Sequence, residues 1–194
     1  GADIVIHSVS KWIGGHGAGI GGVVIVSGRF DWKKSHVPLM TEPDPAYHGL
    51  RWAYDLPEPL APIAFALRFR TGPLRNLGAC LSPDNSWIFL QGLETLPLRM
   101  ERHNQNALAV ARWLSRHPKV AWVRYPGLES DPSYPVASSL FTHGFGGMVV
   151  FGIKGEGSIS GRAKGERFIN ALSLFSNLAN VGDTKSLAIH PAST

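Results

Sequence analysis

Six of the nine residues from Gly14 to Gly22 are glycine, in the order GGHGAGIGG, and two short runs of β-branched apolar residues flank them. A helix cannot run through such a segment, because each glycine costs about 1 kcal/mol relative to alanine in a helix interior. The flanking runs, Asp3 to His7 (DIVIH) and Ile20 to Val26 (IGGVVIV), therefore read as strands. The stretch between them, SVSKWIGGHGAG, reads as a tight turn.

That turn contains a formal Gly-x-Gly-x-x-Gly match at Gly17, Gly19 and Gly22. A dinucleotide site needs this pattern after a strand and opening a helix, so that the pyrophosphate meets the helix N-terminus. Here the glycines lead into VVIV, a strand, which excludes that reading. No Lys-Ser/Thr follows at the spacing of a nucleotide-triphosphate loop, so that class is disfavoured as well.

The residues just before the glycines carry chemistry. Lys11 follows the first strand directly, with Ser8 and Ser10 beside it. A lysine that forms a Schiff base must reach a cofactor aldehyde, hydroxyls can hold a phosphate, and small residues let a ring approach. An arbitrary lysine after a strand is ordinarily a solvated surface group, so the residue types alone do not decide the matter. His16 reads as a turn histidine and Cys80 as a buried inert thiol. Tyr47 and His48 read as surface residues or as the rim of an entrance, and Asp183 with Lys185 as a solvated pair.

Composition narrows the setting. The 194 residues suffice for one large domain or parts of two, and 44% hydrophobic residues suffice for a core. The net charge of +5 comes from scattered basic residues, whereas nucleic-acid binding needs them clustered on one face. No apolar run approaches the roughly 18 residues of a membrane span, and the N-terminus lacks signal-peptide features. A single cysteine forbids an internal disulfide, and no His, Cys, Asp or Glu spacing suggests a metal site. These features favour a reducing compartment, most simply the cytoplasm.

Further along, Ser27 to Pro62 is polar and proline-rich and reads as a long excursion. Pro83 to His117 has helical spacing, with Leu90, Leu93, Leu96 and Met100, then Leu108, Ala111 and Leu114, on one expected face. Pro97 is expected to break or kink it. Strands are expected at Val120 to Tyr125, Gly147 to Ile153 and Leu187 to His190. Helices are expected at Tyr134 to His143 and Gly165 to Phe175. Strands alternating with helices give an α/β or α+β architecture, with a boundary near Pro97 to Arg102.

The segment HSVSKWIGGHG resembles the Ser-x-Thr/Ser-Lys-x-x-x-Gly-His motif of the Cys/Met metabolism pyridoxal-phosphate enzymes. GACLSPDNSWIFLQGLETLPLRMERH is similar to that family's central helical region, VRYPGLESDPSY to its Tyr-Pro-Gly-Leu turn, and NVGDTKSLAIHPAST to a late strand segment. The four likenesses occur in order and span the chain. They imply a fold-type I, aspartate-aminotransferase-like α/β fold. Residues 1–98 would end the large cofactor domain, and residues 99–194 would form most of a smaller α+β domain.

Carried over onto this sequence, the resemblance makes Lys11 the cofactor-bearing lysine and general base. It makes Ser8 and Ser10 hydroxyls that hold the phosphate of pyridoxal 5′-phosphate, and it places Asn180 at the substrate carboxylate. The insertion GRFDWKKSHVPLMTEPDPAYHG and the segment NVGDTKSLAIHP lean toward the O-acetylhomoserine sulfhydrylase branch. The implied reaction is γ-replacement with sulfide or methanethiol, and the implied assembly is a tetramer built as a dimer of dimers. A cystathionine γ-synthase, a lyase of the same family and a non-catalytic or secondary-metabolism homologue remain open.

The resemblance also implies that further cofactor and carboxylate contacts lie outside these residues. The 194 residues alone are therefore expected to show no γ-replacement with O-acetylhomoserine and sulfide, and no visible cofactor band at stoichiometric pyridoxal phosphate. An absorbance titration and a homocysteine assay on the isolated polypeptide check this. Turnover together with a stable band would overturn the expectation.

Overall fold

The computed structural model of the chain describes residues 2–155 and 160–193. Its residues cluster into two compact units, Gly1–Val9 with Ile20–Ser86, and Ser10–Gly19 with Trp87–Thr194. The turn around Lys11 thus belongs with the later part of the chain, while both strands flanking it belong to the first unit.

In the first unit, β1 (Ile4–Ser8) pairs antiparallel with β2 (Gly22–Val26), Ile4 opposite Val26 and Ser8 opposite Gly22. The ladder ends where β-branched residues give way to Ser8 and Gly22, and Val9 adds one more bond, N–H to Gly21 O at 3.0 Å. The expected excursion after β2 is real but structured. It contains helix α1 (Pro38–Thr41) and packs Met40, Trp52, Ala53 and Ala64 into a small core.

Asp44 ties that excursion down. It accepts from the Trp52 indole N–H at 2.9 Å, and Arg68 lies 3.3 Å away as its ion-pair partner. The Trp52 hydrogen bond, aided by the Ala46 amide and by Arg68, holds the Asp44 carboxyl below its ordinary range. Tyr47 donates to Thr71 O at 2.9 Å and meets the Trp52 ring edge-on, so its role in this unit is structural. His48 adopts the left-handed conformation, with φ 55°.

A helical stretch with no counterpart in the sequence expectations follows: α2 (Ala64–Phe69), one π-type turn (Arg70–Leu74) and α3 (Arg75–Leu77). Pro73 sits inside it, and a proline lacks the N–H that an interior helical residue donates. Cys80 lies beyond, exposed rather than buried, because the segment around it packs into neither core.

The stretch expected to break or kink at Pro97 is two helices, α4 (Pro83–Glu94) and α5 (Leu96–Arg116), and all but the first four residues of α4 lie in the second unit. The break falls at Thr95, which puts Pro97 in the first turn of α5, where a missing N–H costs nothing. Leu90 and Leu93 face solvent, contrary to the periodicity, whereas Phe89 and Gly92 are the buried residues of α4. The restart at Thr95 resets the helical register, so one face does not continue through both helices.

Ala107 and Ala111 of α5 pack with Tyr125 to form the core of this unit, joined by Val123, Phe145 and Val149. β3 (Val120–Arg124) pairs antiparallel with β4 (Val150–Ile153), with a bulge between Val120 and Trp122. The expected strand from Gly147 starts three residues late, at Val150, opposite Arg124 where β3 ends and the Tyr125 N–H turns to Asp131. Helix α6 (Tyr134–Leu140) matches the expected one but is shorter.

Helix α7 (Gly161–Asn170) starts and ends earlier than the periodicity indicated, because Ser160 caps it by accepting from Ala163 N–H. Just past its expected end lies β5 (Ser176–Asn177), which pairs in parallel with β6 (Leu187–Ala188).

Asp131, buried beside Tyr125, accepts from the Tyr125 amide at 2.9 Å, the Ser133 amide at 2.9 Å and the Ser133 hydroxyl at 2.7 Å. These bonds, Ser133 foremost, hold its carboxyl below the ordinary value. A depressed carboxylate stabilises the fold above its unfolded pKa of about 3.9, and that contribution is lost as pH falls through the lower folded value. Asp131→Asn sets an NH2 against one of these donors. It is expected to lower unfolding free energy by about 1–3 kcal/mol at neutral pH and to flatten the acid limb, as read by urea denaturation across pH.

Candidate active site

The turn after β1 runs from Val9 to Gly14 and is closed by a Gly15 N–H bond to Lys11 O at 2.8 Å. Gly15, at φ 72°, occupies the left-handed conformation that ends such a turn. Ser8 is the last residue of β1, in the first unit; Ser10 and Lys11 open the turn in the second. Both Ser10 and Lys11 are half-buried. The Lys11 amine donates to Asn180 Oδ1 at 2.8 Å, which brings together two of the residues singled out by sequence, 169 positions apart. Among the described residues, no carboxylate forms an ion pair with Lys11.

The turn is held from two directions. On one side, Thr184 N–H donates to Gly15 O at 2.9 Å. Gly182, at φ 80°, lies so close that a Cβ there would stand 2.6 Å from the Trp12 nitrogen. Asp183 accepts from the Lys185 backbone N–H at 2.9 Å, so the pair expected to be solvated is a backbone turn that shapes this loop.

On the other side stands Arg99 of α5. Its guanidinium donates to Trp12 O at 2.8 Å, Ile13 O at 3.0 Å and Gly92 O at 2.6 Å, and its Nε donates to Thr95 Oγ1 at 3.1 Å. Gly92 is the contact point of α4: a Cβ there would meet Gly14 O at 2.6 Å. Burial lowers the Arg99 pKa. His103, one turn along α5, meets the Trp12 ring edge-on at 5.1 Å. Burial, then the Arg99 charge, lowers the His103 pKa and favours the neutral imidazole.

Sequence reasoning did not single out Arg99, Gly92, Gly182 or Thr184. All four act on or through backbone atoms, and no side-chain pattern announces a carbonyl. His16 behaves as the turn histidine expected, its Nδ1 donating to Gly14 O at 2.7 Å. Among the described residues, no group of three or more His, Cys, Asp or Glu side chains is placed to hold a metal, and no helix is long and apolar enough to cross a membrane.

The whole chain, residues 1–194, matches the model of a family described as Cys/Met metabolism PLP-dependent enzyme. The chain belongs to that family. It is 53% identical to the O-acetyl-L-homoserine sulfhydrylase of Leptospira meyeri, covering all of this chain and 44% of that protein. It is 50% identical to the homocysteine synthase of Schizosaccharomyces pombe, with coverage of 100% and 44%.

A crystal structure of a putative O-acetylhomoserine (thiol)-lyase from Campylobacter jejuni, containing N′-pyridoxyl-lysine-5′-monophosphate, superposes with a TM-score of 0.88 at 39% identity. That match covers all of this chain and 44% of that one. The fold is therefore that of fold-type I enzymes, as the resemblance implied. The chain spans less than half the length of these relatives.

The loop around Gly182 generates a test that is independent of function. Gly182→Ala puts a methyl group against the Trp12 backbone and strains a left-handed residue. It is expected to destabilise the second unit by about 1–3 kcal/mol. It should also speed amide exchange at Thr184, whose N–H loses its Gly15 acceptor. Amide hydrogen exchange by mass spectrometry reads both effects, and unchanged protection at Thr184 would contradict the packing described.

Proposed function

We propose that the protein is a pyridoxal-phosphate-dependent transferase acting on O-acetylhomoserine. It replaces acetate at Cγ with sulfide or methanethiol and gives homocysteine or methionine. The observation that carries this reading is the Lys11 amine, half-buried and bonded to a neutral amide with no described carboxylate paired to it. An ion pair would hold the ammonium form, whereas an amine that condenses with a carbonyl must shed its proton. The donor set fits the cofactor: one amine for the aldehyde, and two serine hydroxyls within three residues of it in sequence for the phosphate.

The cofactor supplies an electron sink for charge developed on the substrate carbons. The chain's own residues do the rest. Lys11 anchors the cofactor; once released, its amine moves protons at Cα and Cβ of the substrate. Ser8 and Ser10 donate hydroxyl hydrogens to the phosphate, as charge-assisted bonds. The Asn180 carbonyl oxygen takes the Lys11 hydrogen bond, and its NH2 group keeps two donors for the substrate carboxylate. Overall, the Cγ–O bond to acetate breaks, a Cγ–S bond forms, and acetate leaves with the bonding pair.

This reading treats residues 1–98 as the end of a large cofactor domain and residues 99–194 as most of a smaller one. It sets them in a full-length cytoplasmic protein that assembles as a tetramer, a dimer of dimers. Identity of 53% and 50% to a sulfhydrylase and a homocysteine synthase supports replacement over elimination.

In the full-length protein, borohydride reduction should fix the cofactor on Lys11, as read by peptide mass, and Lys11→Ala should abolish turnover. Loss of the general base alone removes about 10²- to 10⁴-fold in rate. Label on another lysine, or release of ammonia and a keto acid in place of sulfide consumption, would sink the assignment. The Ser8→Ala/Ser10→Ala double variant should lose cofactor retention by about 1.5–3 kcal/mol per hydroxyl, measured by equilibrium dialysis. Unchanged affinity would remove the serines from the phosphate site.

A further inference from the structure

We propose that Arg99 is a positioning residue that sets the Lys11 amine by gripping the backbone of its turn. The inference rests on the reading of Lys11 as the cofactor lysine. The carbonyls of Trp12 and Ile13, the two residues following Lys11, both accept from the one guanidinium, at 2.8 and 3.0 Å. A third bond, to Gly92 O at 2.6 Å, fastens the same guanidinium to α4, and Nε is held by Thr95. The turn cannot rotate about its chain direction without breaking two charge-assisted bonds. The direction in which Lys11 leaves the backbone is therefore fixed before any side-chain contact forms. The Asn180 bond then selects one position for the amine.

Arginine suits this task and lysine does not. A planar fork donates to several fixed acceptors at once, whereas an ammonium on a flexible stem offers a single point charge. The neighbouring groups leave the fork free for the carbonyls. Among the described residues no carboxylate is ion-paired with Arg99. The nearby His103, depressed by burial and by Arg99, adds no competing charge. Gly92 completes the device, because any Cβ there would displace Gly14 O.

The test uses the full-length protein, with Arg99→Lys, Arg99→Ala and Gly92→Ala. Arg162→Ala, which breaks an exposed ion pair of α7, is the control. In the apoprotein, acetic anhydride at limiting concentration labels lysines in competition, and Lys33 and Lys34 serve as internal references. Loosening the turn should raise Lys11 labelling relative to those references by roughly three- to tenfold, the worth of one lost hydrogen bond. In the holoprotein, the pH midpoint of the visible absorbance of lysine-bound cofactor should shift. In the same variants kcat should fall by about 10²-fold, as for a misplacement of about 1 Å.

Arg99→Lys should not rescue any of these, and Arg162→Ala should leave all of them unchanged. Lys11 labelling and an absorbance midpoint equal to wild type in Arg99→Lys would overturn the proposal, even if thermal stability dropped. Should Arg99→Ala fail to fold, Arg99→Lys and Gly92→Ala decide the outcome. Borohydride label on a lysine other than Lys11 in the wild-type protein would instead defeat the functional reading, and competitive acetylation would still test the grip.

Discussion

A half-buried arginine with carbonyls for partners, in place of a carboxylate, ties the Lys11 turn to two helices of the second unit. Helix α5 delivers the Arg99 side chain, α4 delivers Gly92 O, and the glycine-rich turn delivers Trp12 O and Ile13 O. Each of those carbonyls is a strong acceptor that would cost about 1–3 kcal/mol if left unpaired in the interior. The turn lies in no helix or ladder that would pair them internally. One side chain thus answers a demand created by the glycines. Their density makes the turn possible and also leaves its backbone without regular partners.

The strands cannot take over this role. β1 and β2 form a two-stranded ladder among the described residues, and such a hairpin is marginal by itself in water. Among the described residues, the Lys11 turn draws its contacts from the unit to which it belongs. There, Arg99 and Gly92 act from one direction and Gly182 and Thr184 from the other.

How much of this could be read from the sequence depends on whether side chains or backbone atoms carry the interaction. The strands flanking the glycines, a break near Pro97 and the Lys11 turn were legible. They follow from β-branched runs, a missing N–H and a motif of fixed residue types. The solvent-facing Leu90 and Leu93, the exposed Cys80 and the early start of α7 were not. Each was decided locally, by a helix restart at Thr95, by a segment that joins neither core and by the Ser160 cap. The helical stretch over Ala64–Leu77 had no counterpart in the expectations, and it carries Gly72 and Pro73, two residues disfavoured inside a helix. Arg99 was invisible for a deeper reason: in LPLRMERH it resembles any arginine of an amphipathic helix, and its acceptors are carbonyls.

The choice of carbonyls over a carboxylate has an electrostatic consequence. A buried Arg–Asp pair would be neutral, whereas Arg99 keeps its full charge, spread over dipoles. Burial lowers its pKa, yet a guanidinium starts so far above neutrality that it stays protonated. His103 responds in the opposite sense to a salt-bridged histidine: the same charge drives it toward the neutral form, where its ring packs against Trp12 without a second cation. The neighbourhood of the Lys11 turn is left with one fixed positive charge and no described carboxylate paired to it. Such a field favours anions over cations near the turn. A carboxylate partner for Arg99 would have cancelled that charge and drawn its donors away from the Trp12 and Ile13 carbonyls.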